Sequence, residues 1–88
     1  MRKIKLFPDR ISHFVQHHAQ SVIEHPGGPR STWTEYVFRG ESFFLENEDH
    51  VVYDFYGPTA WSEEQIQSLK KEADKWIEER DALGYPVC

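Results

Sequence analysis

Residues 61–86, WSEEQIQSLKKEADKWIEERDALGYP, decide the fold. Ser62 and Gln65 stand three apart as a capping box, each side chain placed to meet the other's backbone N–H at a helix start. Trp61 and Ile66 occupy the two positions of a hydrophobic staple. Ile66, Leu69, Ala73, Trp76 and Ile77 then form one apolar stripe, and Gly84 followed by Pro86 supplies a stop. The spacing predicts a helix over 62–83. Its stripe must be buried against another layer, and the preceding residues supply one.

Three β-rich runs lie upstream, Thr32 to Arg39, Ser42 to Glu46 and Val51 to Tyr56, separated by Gly40-Glu41 and by the acidic stretch around Glu48-Asp49. They read as a three-stranded antiparallel meander. A two-residue turn at Gly40-Glu41 pairs Phe38 with Phe43 and Tyr36 with Leu45, placing four large apolar side chains on one face. Parity then sets the next connection. An odd loop, Glu48-Asp49-His50, brings Tyr53 opposite Leu45 and Phe55 opposite Phe43, whereas an even loop turns Asp54 onto the core face.

Earlier still, Ile11, Phe14, Val15, His18 and Val22 recur at helical spacing, with Asp9 as N-cap and His25-Pro26-Gly27-Gly28-Pro29 as stop and turn. A helix over 9–24 is expected. Lys3-Ile4-Lys5-Leu6 alternates charge with apolarity, so residues 1–8 are either a basic tail or a short edge strand. The expected fold is α+β, in the order α-β-β-β-α, with both helices packed on one face of the meander. All 88 residues read as a single domain.

This order resembles the double-stranded RNA-binding domain, which also runs helix, three strands, helix. In that family the second helix opens with basic residues that hold phosphates. Here those positions are Glu63 and Glu64, so the resemblance reaches the topology and implies no RNA function. The combination of a short meander with helices is also similar to small acidic anti-CRISPR and restriction-inhibitor proteins of phages, without a shared motif.

Charge and composition narrow the function classes. The net charge of −5 is uneven, because residues 1–40 carry six basic and three acidic side chains while 41–88 carry four and twelve. That asymmetry argues against nucleic acid as a partner and suits a protein with a basic surface. Cys88 is the single cysteine, which excludes an internal disulfide and fits a reducing compartment. No apolar run is long enough for a membrane span, and the stretch MRKIKLFPDR lacks the apolar core of a signal peptide, so a cytoplasmic location without membrane contact is expected.

Catalytic and cofactor signatures are weak. His13 and His17, at i and i+4, share a helix face and could approach one metal ion, but no third ligand or HExxH pattern accompanies them. A hydrolase or nuclease using His13, His17 and Asp54 is the enzymatic alternative, resting on an acid–base pairing alone. No G-x-S-x-G elbow or phosphate loop is present. No catalytic residue, metal ligand or cofactor is therefore assigned.

Two features depart from an ordinary solvated domain. Glu78, Glu79 and Asp81 crowd the C-terminal turns of the last helix, where the dipole opposes negative charge; with Glu46, Glu48 and Asp49 they give two acidic clusters suited to a basic partner. Solubility alone is the plainer explanation of such charge. The predicted register also turns Trp33, Val37, Phe44, Val52 and Tyr56 outward among Glu35, Arg39, Glu46 and Asp54. A face so apolar indicates a binding surface or a homodimer interface, unless the N-terminal segment or a loop covers it. Stacking of RNA bases on these rings is the remaining alternative, opposed by the surrounding acids. The expectation is a non-enzymatic protein-binding module, an inhibitor or adaptor of phage or mobile-element origin, with Glu78, Glu79, Asp81, Glu46, Glu48, Asp49, Trp33, Phe44 and Tyr56 as partner contacts.

Overall fold

A computed structural model describes residues 1–5 and 10–84, arranged as two helices on one face of a five-stranded antiparallel sheet. The elements are β1 (Arg2–Ile4), α1 (Ile11–His18), β2 (Ser21–Pro26), β3 (Ser31–Phe38), β4 (Glu41–Glu48), β5 (Val51–Gly57) and α2 (Glu63–Ala82). The sheet order is β1-β5-β4-β3-β2. The α+β class holds. The three-stranded α-β-β-β-α order does not, because the meander β3-β4-β5 gains a strand on each edge.

Local signals are followed most closely in α2. Ser62 Oγ accepts from the Gln65 N–H at 3.2 Å, and the Ser62 N–H donates to Gln65 Oε1 at 2.7 Å, so the capping box forms. Ile66, Leu69, Ala73 and Ile77 are buried, and Gly84 follows the helix with φ +81°. Pro86 and Cys88 lie outside the described residues.

The first helix is the main correction, because α1 ends at His18 rather than at residue 24. Ala19 is extended, and Ser21–Pro26 instead form β2 along β3. The periodicity through Val22 was compatible with a helix, but Val22-Ile23 is also a β-branched pair, and a strand here gives β3 a hydrogen-bonded neighbour that a helix cannot supply. Residues 27–30 accordingly turn a hairpin, closed by the Gly27 N–H donating to Ser31 O at 3.1 Å. Asp9, the expected cap, lies outside the described residues; Arg10 occupies the cap position without a side-chain capping hydrogen bond.

The undecided N-terminus supplies β1, with Ile4 paired to Phe55 and buried in the core. Gly57 permits this closeness: a Cβ there would lie 2.6 Å from Ile4 Cδ1 and 3.1 Å from Phe43 Cε2. Residue 6 onward to 9 is outside the described residues.

Both hairpin registers differ from expectation and yet keep the core face. The β3–β4 turn is Arg39-Gly40, both at positive φ, so Tyr36 faces Phe43 and Thr34 faces Leu45. This is a slip of two from the expected pairing, which preserves parity; Tyr36, Phe38, Phe43 and Leu45 all remain buried. The β4–β5 turn is the even pair Asp49-His50, again with positive φ at both residues. A bulge corrects the parity: Val52 pairs with Asn47 and Asp54 with Glu46, leaving Tyr53 unpaired. Phe55 therefore reaches the core opposite Leu45, while Tyr53, expected there, is 64% exposed. Inserting one residue achieves what an odd loop was expected to do.

Candidate binding face

Alternation along the strands follows from this register. Lys3, Tyr56, Phe44, Glu35 and Ile23 form one row across the outer face, and Asp54, Glu46, Trp33 and His25 form the next. Trp33 stands 5.2 Å from Tyr56 and 6.5 Å from Phe44 between ring centroids; the His25 ring is 6.4 Å from Phe44. All three aromatics are half-buried by one another and by the rim, and among the described residues no helix lies over them. Met1, His25, Trp33, Glu35 and Phe44 line a shallow, mainly apolar depression of about 350 Å³.

The rim is ordered by polar contacts. Lys3 Nζ meets Asp54 Oδ1 at 2.9 Å, and this contact raises the lysine's pKa, chiefly through the hydrogen bond. Ser42 Oγ donates to Glu35 Oε2 at 2.6 Å, and His25 Nε2 lies 2.9 Å from Glu35 Oε1; the Ser42 bond, then His25, lowers the Glu35 pKa. Burial, reinforced by the nearby Asp54 and Glu46 carboxylates, raises the Tyr56 phenol. The face thus offers aromatic surface edged by fixed carboxylates.

Two outward expectations are corrected. Val52, paired with Asn47 before the bulge, leaves the outer set. Arg39 lies in the turn and swings to the helix side, where its guanidinium sits 4.9 Å from the Phe38 ring centroid and pairs with Glu72.

The acidic residues do not make one surface. Glu46 belongs to the outer face beside Trp33, Glu48 is exposed, and Asp49 is held by Arg30 at 3.1 Å. Glu78, Glu79 and Asp81 are exposed on α2. Glu79 lines a cavity of about 530 Å³ together with Arg39, at the β3–β4 turn, whereas Asp49 is in the β4–β5 turn; these turns cap opposite ends of the eight-residue β4. Lys75 lines the same cavity as Glu79, so that end of α2 is of mixed charge.

Three of the histidines gather around a residue that no local pattern connects with them. Trp76 of α2 has His13, His17 and His18 of α1 at 5.7, 4.8 and 5.2 Å, and Arg80 over its ring at 4.7 Å. Burial first, then the Arg80 charge and a neighbouring histidine, lowers the pKa of His13 and of His17. His18, expected beside Val22, is exposed and rests on Phe14 and Trp76. Asp54 is on the opposite side of the sheet from α1, so the acid–base set His13, His17 and Asp54 is not assembled. Among the described residues no three His, Cys, Asp or Glu side chains are grouped to hold a metal ion. The i, i+4 spacing of Trp76 and Arg80 was a visible signal for half of this cluster; the other half depends on helix packing.

Comparison with protein-family models, curated proteins and solved structures returns no match for this chain. Among the described residues no helix is long and apolar enough to cross a membrane.

Proposed function

We propose that this chain is a non-enzymatic protein-binding module, an inhibitor or adaptor, that holds a basic partner segment on its outer sheet face. The carrying observation is the cluster of Trp33, Phe44 and Tyr56, packed ring to ring but uncovered, inside a rim containing Glu35, Glu46 and Asp54. Such rings bury large area at low entropic cost and attract Arg or Lys side chains over their faces, while the carboxylates reward positive charge at the edge. Of the acids assigned from the sequence, Glu46 shares this face; Glu78, Glu79 and Asp81 stand apart from it. The same carboxylates disfavour phosphate, which sets RNA stacking behind protein binding.

The test is affinity capture from the native host with the intact chain and with Trp33→Ala. A partner with a basic contact segment, lost on Trp33→Ala and kept when Glu78, Glu79 and Asp81 are all changed to Lys, is the expected outcome. Loss of an anchor of this type costs about 2 kcal/mol or more, roughly thirtyfold in affinity. Equal capture by the Trp33→Ala chain would remove the outer face as the binding surface.

A further inference from the structure

We infer that β2 is a self-association edge, and that two copies of this chain pair their β2 strands antiparallel about Ile23 to form one continuous ten-stranded sheet. The starting point is an edge left open where proteins usually close it. β2 is the outermost strand, six residues long and exposed throughout. Val22 and Ile23 are 56% and 48% exposed, one on each face. The opposite edge, β1, has only three residues, and its side chains are occupied by the Lys3–Asp54 and Arg2–Glu63 ion pairs.

Three constraints together select the partner register. Hydrogen bonding comes first. Gly27 and Ser31 form a bonded pair closing the hairpin, and alternation back along β2 sends the backbone groups of His25, Ile23 and Ser21 to β3. The N–H and C=O of Val22 and Glu24 are therefore directed outward from the sheet. Parity comes second. A two-fold axis that joins antiparallel edge strands runs along the sheet normal, so directly opposed residues must come from the same face of each copy. Charge comes third. Centring on Glu24 would oppose two carboxylates, which is unfavourable in a cross-strand pair. Centring on Val22 carries Glu24 past the partner's strand end, opposite Gln20.

Centring on Ile23 satisfies all three. Val22 of each copy then exchanges hydrogen bonds with Glu24 of the other, the two Ile23 side chains meet in the central non-bonded pair, and Ser21 stands across from His25. Neither face blocks the approach, because Val22 and Glu24, on the helix side, are exposed rather than roofed by α1 or α2. The outer row Tyr56, Phe44, Glu35, Ile23 would run on into the same row of the second copy. This joins the two outer faces edge to edge and differs from a dimer that stacks those faces on each other.

Sedimentation velocity over a chain-concentration series tests the proposal directly. A reversible monomer–dimer equilibrium is expected. Glu24→Pro is the diagnostic variant, since it deletes an outward N–H that the monomer's own ladder does not use, in an edge strand where proline is tolerated. It should abolish the dimer while leaving the melting temperature of dilute protein within a few degrees of the original. In a Cys88→Ser background, Ile23→Cys should cross-link under mild oxidation, because the central non-bonded pair places Cα atoms about 4.5 Å apart, within disulfide range. Val22→Cys should not cross-link. A chain that stays monomeric at millimolar concentration, or a dimer that survives Glu24→Pro, would overturn the inference; cross-linking through Val22→Cys instead of Ile23→Cys would overturn its register. The first outcome leaves the outer-face reading intact, since partner capture is scored separately.

Discussion

Phe43 and Phe44 are consecutive in β4 and identical in chemistry, but one is 0% exposed beneath two helices and the other is half-buried on a face that no described helix covers. The same contrast runs through the sheet. Tyr36, Phe38, Phe43, Leu45 and Phe55 fill the covered side, while on the other Trp33, Phe44 and Tyr56 are shielded by one another and by rim residues such as His25. Hydrophobicity alone therefore does not distinguish the core face from the outer face in this molecule; the presence of a second layer does. Apolar area that folding leaves exposed remains available to binding.

The largest expected break in that contrast is a pair of truncations. Phe43→Ala should cost about 3–5 kcal/mol through lost burial and a cavity, enough to unfold much of a chain this small. Phe44→Ala should cost under about 1 kcal/mol of stability by the same chemical denaturation, because its site has no lid to leave a void. Comparable losses for both would mean that the outer face is itself a core.

A smaller effect is expected where the covered side is tightest. Gly57→Ala drives a Cβ against Ile4 and Phe43 and should destabilise by about 1–3 kcal/mol in a urea melt. Next, Ser62→Ala removes the cap that starts α2 over the sheet, with an expected loss of about 1 kcal/mol. Neither should alter partner affinity in folded protein, which sharpens the division between the two faces.

The smallest effect is a pH dependence of the covering layer. His13 and His17 have folded pKa values below the ordinary 6.5, so the folded state prefers both imidazoles neutral. Their contribution is unperturbed above pH 6.5 and becomes destabilising as pH falls through that value and then through the lower folded values. Thermal melts at decreasing pH should show the loss, and His13→Gln should reduce it. An unchanged slope in His13→Gln would place the pH sensitivity elsewhere.

How much of this was legible depended on the distance over which each feature is decided. The start of α2 was readable because Trp61, Ser62, Gln65 and Ile66 are all local. The four inward residues of β3 and β4 were also readable, since a turn at Arg39-Gly40 or Gly40-Glu41 gives the same parity. The bulge at Tyr53 was not, because it compensates an even turn that no neighbouring residue announces. Residues 21–26 misled for a related reason: their local pattern fits two periods, and only pairing with β3 selects the strand. The outer cluster of Trp33, Phe44 and Tyr56 survived these errors since both the two-residue slip and the bulge keep the expected parity, while the histidine cluster depended on Trp76 arriving from another helix.

The central claim is that the uncovered side of the sheet binds and the covered side only holds the fold. Its most direct test is calorimetric titration of the captured partner into the Phe44→Ala chain, with the melting temperature measured on the same sample. The account predicts affinity reduced by roughly tenfold or more, equivalent to about 1.4 kcal/mol, with the melting temperature nearly unchanged. Undiminished affinity in a fully folded Phe44→Ala chain would contradict it.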